Sequence, residues 1–215
     1  MFQVKDFMTR DVITAERDAK ISEVLDLMRF NHIHRIPVVD ADDRLVGLIT
    51  EGMIAGQDNS ATSLSIYELN YLLSKTEVRT VMVRHVHSIN QQDLMEEAAD
   101  RMLKYDVGCL PVVDDSDRVV GIVTQNDVFR AFLDILGWNR QGLRLSIEVT
   151  DEVGALEKIA RIFADAGVNI YNVSVYSLKD GRASMIIRSA ADPQGALVPA
   201  LEAAGIKVLR QSEEQ

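Results

Sequence analysis

The 215-residue sequence holds one cysteine, four prolines and one tryptophan, and aromatic residues make up only 6% of it. A single cysteine excludes a disulfide framework within the chain and every zinc site built on several thiolates. No apolar run approaches the roughly 20 residues needed to span a bilayer as a helix. The opening stretch MFQVKDFMTRD lacks the apolar core of a secretory signal, so a soluble, cytoplasmic protein is expected. Basic charge is also short: 23 Lys and Arg stand against 33 Asp and Glu, a formal net charge of −10. That balance argues against gripping a nucleic-acid backbone, which needs clustered cations, although it leaves room for one local basic pocket. Signatures of catalysis are missing as well, with no Gly-x-Ser-x-Gly, P-loop, dinucleotide fingerprint or metalloprotease motif. What is present is a chain 47% hydrophobic and 26% charged, ordinary for one or two globular domains or three very small ones.

The chain repeats itself. A shift of 74 positions lays residues 4–54 on 78–128 without a gap. Val4 falls on Val78, Met8 on Met82, Arg10 on Arg84 and Val12 on Val86. Pro37-Val38-Val39-Asp40 falls on Pro111-Val112-Val113-Asp114, Arg44 on Arg118, Gly47 on Gly121 and Thr50 on Thr124. One fold is therefore used twice. In the first copy Ile21, Val24, Leu25 and Met28 recur at helical spacing. Ile36–Asp40 and Leu45–Thr50 read as short buried strands flanking a polar turn. Met95, Ala98 and Met102, then Val112-Val113 and Val119–Val123, repeat the scheme in the second. A unit this small buries too little core alone, and two packed about a pseudo-twofold axis solve the problem. Between the copies, Gly56-Gln57-Asp58-Asn59-Ser60 signals a loop. Ile66, Leu69, Tyr71, Leu72 and Leu73 then signal a connecting helix.

From Leu143 the period changes. Leu143, Leu145, Ile147 and Val149 alternate with polar residues, a half-buried strand. Thr150 or Asp151 is expected to cap a helix bearing Leu156, Ile159 and Phe163, ended by Gly167. Val168–Ser177 is a second strand, Asp180-Gly181 a hairpin turn and Met185–Arg188 a third strand. Pro193 is expected to open a second helix that Gly205 closes, before a last strand at Ile206–Leu209. The order β-α-β-β-α-β is the ferredoxin-like one. The expected fold class is thus α/β (α+β), with two repeats packed as a pair and a C-terminal βαββαβ domain. The expected division is 1–60, a connecting segment 61–77, 78–137, a linker 138–142 and 143–212. Trp138 is a candidate for packing at the domain junction.

These stretches carry a family resemblance. His34-Arg35-Ile36-Pro37-Val38-Val39-Asp40 and Gly121-Ile122-Val123-Thr124-Gln125-Asn126-Asp127 resemble the signatures of tandem CBS domains, a Bateman module. Asp151-Glu152-Val153-Gly154-Ala155-Leu156 and Gly167-Val168-Asn169-Ile170 resemble an ACT domain, with Val153 in place of the usual proline. With Glu68-Leu69-Asn70-Tyr71-Leu72-Leu73 between the repeats, the whole order is similar to that of bacterial acetoin utilisation proteins of the AcuB type.

The resemblance implies an adenosine nucleotide (AMP, ADP or ATP) in the cleft between the CBS copies, as a regulatory ligand rather than a cofactor. Thr124 and Asp127 keep the family's Ser/Thr-x-x-Asp ribose signature, which also encloses Asn126. The adenine would lie near Thr14, Ile33, His34 and Ile122, and Arg35 beside His34 would serve the phosphates. The competing reading makes Thr124 and Asp127 a helix cap and Arg35 a solvated side chain. A second, weaker site would use Leu48, Thr50, Ser88, Val107 and Gly108. There Met53 stands where the carboxylate should be, and a thioether accepts no strong ribose hydrogen bond. Asp151, Gly154 and Asn169 match positions at which relatives hold an amino acid, the alternative being a capped helix start in a purely dimerising domain. The pairs His32/His34 and His85/His87 would each share a face on a strand, but no third ligand is fixed by spacing, and no metal is expected. Cys109 reads as a small core residue. The expectation is a non-catalytic, homodimeric ligand sensor acting on an unidentified regulated protein. A ligand-free scaffold and a nucleotide-hydrolysing enzyme using the His pairs remain as alternatives.

Overall fold

The computed structural model describes residues 2–58 and 66–214. The chain divides into two compact units, 1–130 and 131–215. The first holds both repeats. It runs α1 (Val4–Phe7), β1 (Ala15–Glu16), α2 (Ile21–Asn31), β2 (Arg35–Val39), β3 (Leu45–Thr50), α3 (Glu51–Asp58) and α4 (Ile66–Lys75). The second repeat follows with a 3-10 turn at Val78–Thr80, β4 (Ile89–Asn90), α5 (Met95–Tyr105), β5 (Cys109–Val113), β6 (Val119–Thr124) and α6 (Gln125–Ile135). Gly56, Gln57 and Asp58 belong to α3 rather than to a loop, because the intrahelical ladder carries on past Gly56. Asn59 and Ser60, the rest of that expected loop, lie outside the described residues.

Each repeat builds a three-stranded sheet, β1-β2-β3 and β4-β5-β6, with the short first strand parallel to the second and the third antiparallel. The repeat extends to backbone detail. His32 and Asp106 end α2 and α5 in the left-handed conformation, with φ of 53° and 51°. Asp43 and Asp117, both at φ 61°, turn the β2–β3 and β5–β6 hairpins. The aspartate of each Pro-Val-Val-Asp motif orders that turn. Asp40 Oδ1 accepts from Arg44 N and Asp42 N at 3.0 Å each, and Asp114 Oδ1 from Arg118 N at 3.0 Å and Ser116 N at 2.8 Å. These backbone donors, that of the arginine first, hold both carboxyls below their usual range.

The two copies exchange their leading segments. Val4 N donates to Asp93 O and Lys5 N to Gln91 O, and their counterparts Val78 N and Arg79 N donate to Ala19 O and Arg17 O. Thr9 pairs with Ile122, and Val83 pairs with Leu48, each through two backbone hydrogen bonds of 2.9–3.0 Å. Val78 lies buried in the core of the first repeat, among Ile21, Val24, Met28, Ile36, Val38 and Ile49. The exchange also explains two repeated glycines. A Cβ on Gly121 would stand 2.7 Å from Met8 Sδ and 2.8 Å from Thr9 O, and one on Gly47 2.5 Å from Met82 Sδ and 3.1 Å from Val83 O.

The second unit carries the end of α6 and then β7 (Gly142–Thr150), α7 (Ala155–Asp165), β8 (Ile170–Lys179), β9 (Arg182–Ser189), α8 (Leu197–Ala203) and β10 (Lys207–Glu214). Its sheet is antiparallel, in the order β10-β7-β9-β8. Leu143, Leu145, Ile147 and Val149 bury one face of β7 with Ile159, Phe163, Leu197 and Leu201 from the helices. Asp180 and Gly181, at φ 52° and 70°, make the hairpin turn. Two helix starts differ from expectation. α7 begins at Ala155 behind Gly154 at φ 93°, with no side-chain cap from Thr150 or Asp151. α8 begins at Leu197 instead of Pro193, because Asp192 accepts from Ala196 N and Leu197 N and sets the start four residues later. Trp138 lies under the Arg188 guanidinium, 5.1 Å from the ring centre.

Gly121→Ala is expected to cost about 1–3 kcal/mol, as overpacking does. Gly47→Ala should cost less, since its nearest obstacle is the flexible end of Met82 and its nearest carbonyl is farther away. Urea unfolding of the two variants decides; equal costs would contradict this view of the exchanged contact.

Candidate functional site

Threonine closes β3 and β6, directly before the helix that follows each. In the first repeat the Thr50 hydroxyl accepts from Met53 N at 3.3 Å. In the second the direction is reversed: Asp127 Oδ2 accepts from Thr124 N at 2.8 Å and from Thr124 Oγ1 at 2.7 Å. Each copy thus uses one half of a capping box. The acidic half recurs at Asp6, Glu23 and Glu97, whose carboxylates accept from the amides of Gln3, Lys20 and Leu94. Capping alone therefore accounts for part of Asp127. What sets Asp127 apart is its burial, at 3% exposure, and a further ion pair: Arg130 Nη2 donates to its Oδ1 at 2.7 Å.

The strand starts converge beside these caps. Cys109 is registered against Thr124, and Arg35 against Thr50. The Arg35 side chain reaches across to the other repeat, where a Cβ on Gly108 would stand 2.9 Å from its Nη2 and 3.7 Å from Gln125 Oε1. The structure thereby groups Arg35 with Gly108, a residue assigned to the second site. His34 is engaged within its own repeat, Nδ1 lying 2.6 Å from Glu51 Oε2. Ile122 is carried to the first repeat by its bridge to Thr9, five positions before the half-buried Thr14. Leu48 is carried to the second by its bridge to Val83, five positions before the half-buried Ser88. Ile33 packs against the first core, Val107 N donates to Met102 O, and Asn126 is exposed on the first turn of α6.

The histidine pairs are not on strands. His32 is the left-handed cap of α2, so it shares no strand face with His34; His85 and His87 precede β4, and His87 stacks on Tyr105 at 3.7 Å. Among the described residues no group of three or more His, Cys, Asp and Glu is placed to hold a metal ion. No helix among them is long and apolar enough to cross a membrane.

In the second unit the amino-acid candidates are separated. Asp151 and Gly154 follow the end of β7, whereas Asn169 O accepts from Ala190 N beside the pair Leu143–Ser189 at its beginning. At about 3.4 Å per residue, β7 holds them some 25 Å apart, so one chain alone does not gather all three. Gly154 is required by its φ of 93°, and a Cβ there would meet nothing within 4 Å.

Sequence reasoning missed Arg130, although its spacing from Asp127 places the two on one face of a helix. It also missed a cavity of about 480 Å³ in the first repeat, lined by Glu16, Arg17, Asp18, Val39, Asp40, Ala41 and Arg79. The equivalent place in the second repeat is bridged by Asn90 Nδ2 donating to Asp115 Oδ1 at 3.0 Å. Glu16 and Ala41 stand at those two positions in the first. No signal in a single sequence announces that difference.

A family model for the CBS domain matches residues 4–56 and 78–134, and one for the ACT domain matches residues 143–205. The crystal structure of CBSX2 in complex with AMP is 28% identical, with a TM-score of 0.53 over 63% of this chain and 98% of that one. The CBS domain pair of protein MJ0100, in complex with 5-methylthioadenosine and S-adenosyl-L-methionine, is 32% identical, with a TM-score of 0.51 over 60% and 98%. The crystal structure of an AcuB chain from Vibrio cholerae is 30% identical, with a TM-score of 0.54 over 65% and 96%. Two curated relatives from Methanocaldococcus jannaschii, 33% and 34% identical, are matched over 23% and 46% of their own lengths.

Burial pushes the Cys109 thiol up, against the opposing pull of the Arg35 charge. At pH 8 the folded protein is expected to react with Ellman's reagent at least about ten-fold more slowly than the guanidinium-unfolded chain. Equal rates would show that the thiol is accessible and the strand start open.

Proposed function

The chain belongs to the CBS-domain family, with an ACT domain behind the pair, and on that premise we propose that it is a non-catalytic regulatory protein. Its ligand is an adenosine nucleotide bound between the two CBS copies. The observation that carries the reading is the Thr124–Asp127 constellation, a buried carboxylate and a hydroxyl held together at a helix start. Such a pair suits the two hydroxyls of a ribose, which donate to a carboxylate and accept from a threonine. Thr14, Ile33, His34 and Ile122 would surround the base, with Asn126 beside the ribose. Arg35 would meet the phosphates. The AMP in CBSX2 and the adenosine compounds in the MJ0100 pair support this ligand class.

The second cleft, framed by Leu48, Thr50, Ser88, Val107 and Gly108, lacks a carboxylate at Met53 and holds a nucleotide weakly. Ligand binding acts on a partner only through different affinities for two arrangements of the pair. The regulated partner belongs to acetoin utilisation, and the site of action is the cytoplasm. The ACT domain carries the dimer contact and contributes Asp151, Gly154 and Asn169 to an amino-acid site; their separation in one chain requires the twofold mate to complete it.

The test is calorimetry with AMP, ADP, ATP and S-adenosylmethionine. Asp127→Ala is expected to weaken the best of them by about 1–3 kcal/mol, the worth of charged hydrogen bonds in a closed cleft. Met53→Ala should change the affinity far less. Equal losses in the two variants would refute the asymmetric cleft, and no binding of any of the four would refute the nucleotide reading.

The dimer is tested at β8, an edge strand that leaves Val175, Tyr176 and Leu178 at 51%, 57% and 63% exposure. A twofold contact would use this patch on both chains. The double variant Val175→Asp, Leu178→Asp is expected to dissociate at higher concentration than the parent in a light-scattering dilution series. Identical dissociation curves would move the dimer contact elsewhere.

A further inference from the structure

Both carboxylate oxygens of Asp127 are in use before any ligand arrives. Its Oδ2 accepts two hydrogen bonds from Thr124, through the backbone amide and the hydroxyl. Its Oδ1 accepts the Arg130 Nη2 donor at 2.7 Å. A carboxylate that reads a ribose must accept from two hydroxyls. The Thr124 hydroxyl can turn away by rotation, and it then becomes a partner for the ribose itself. The amide bond caps α6 and is kept. The acceptor that remains to be cleared is Oδ1, and Arg130 holds it.

We infer that Arg130 competes with the ribose for Asp127 and so lowers the affinity of the cleft, a regulation of the nucleotide site that rests on the reading proposed above. The contact suits an exchangeable occupant. Asp127 is buried and fixed by its cap, whereas the Arg130 side chain is 72% exposed and reaches the carboxylate from one turn farther along the same helix. On release solvent receives the guanidinium, and the ribose hydroxyls take its place on the carboxylate, so the buried charge is not left without a partner. The first repeat has no such lock, since its hydroxyl accepts from Met53 N and Met53 offers no carboxylate. Occupancy of the ribose subsite and the Asp127–Arg130 pair therefore compete for the same carboxylate oxygen. An emptied cleft frees the carboxylate to take the arginine back.

The probes are adenosine and AMP, titrated into the full chain, Arg130→Gln, Asp127→Ala and the double variant. Adenosine carries no phosphate, so loss of the Arg130 charge cannot weaken it by removing a phosphate partner. Arg130→Gln is expected to bind adenosine at least about two-fold more tightly than the parent, a floor set by what a fully exposed ion pair contributes. In the Asp127→Ala background the same substitution is expected to give no gain. Unchanged or weaker adenosine binding by Arg130→Gln, beside normal binding by the parent, overturns the competition and leaves the nucleotide site standing. A loss confined to AMP makes Arg130 a phosphate ligand and overturns it too. A gain that persists without Asp127 places the effect outside the carboxylate and also counts against it. Absence of binding in every variant refutes the nucleotide reading and this inference together. Thermal unfolding of Arg130→Gln within a few degrees of the parent confirms that the fold is intact.

Discussion

The exchange of leading segments between the two repeats is the contact on which the first unit depends. Met8 lies on Gly121 and Met82 on Gly47, with Thr9 and Val83 adding a bridge to the third strand of the opposite copy. Neither repeat is complete without the other. Val78 closes the core of the first, and Phe2 O accepts from Met95 N at the start of α5, as Thr76 O does from Ile21 N at the start of α2. A half-unit of this size exposes too much of its apolar surface to hold alone, and reciprocal insertion solves that without a longer chain. It also ties the backbone that leads to Thr14 or Ser88 by hydrogen bonds to the strand that leads to Thr124 or Thr50.

Within that near-symmetric frame a few side chains break the symmetry, and they cluster at the strand starts and the helix caps beside them. Thr50 and Thr124 occupy the same backbone position, yet one hydroxyl accepts from an amide and the other donates to a carboxylate. His34 has Glu51 as its partner, while the corresponding Gly108 leaves space that the Arg35 guanidinium fills. The backbone is duplicated and the chemistry is not. The buried carboxylate at Asp127 has only Met53 as its counterpart, and the Arg35 guanidinium only Cys109.

The second unit obeys a different logic. It buries the apolar alternation of β7 under α7 and α8 and keeps Arg144, Ser146 and Glu148 of that strand on the other face. Gly154 and Asp192 set the starts of its helices from outside the helical pattern, the first through its backbone conformation and the second through a side chain reaching over four residues. β7 separates the two ends of the domain, so any site drawing on both Asp151 and Asn169 is a property of an assembly.

The sequence by itself determined the repeat, one helix and two strands of each copy, the β-α-β-β-α-β order of the third segment, the helix-side faces and the Thr-x-x-Asp constellation. Those features are local or periodic: an apolar spacing of 3.6 or 2 and a shift of 74 positions need no third dimension to be seen. The family resemblance rested on the same short stretches. The tertiary structure decided what lies far apart in the chain. It put Met8 on Gly121 instead of on Gly47, placed Arg35 over Gly108, and drew Asn169 away from Asp151. It also took His32 off the strand where a period of two would have put it, because a left-handed residue ends α2 there. The two-residue strands β1 and β4 and the four-residue α1 carry no period long enough to read, and they form only because another segment supplies their hydrogen bonds. The arginine on Asp127 belongs to the same class. Its spacing was in the sequence, but its choice of partner depended on a carboxylate already turned inward by a cap.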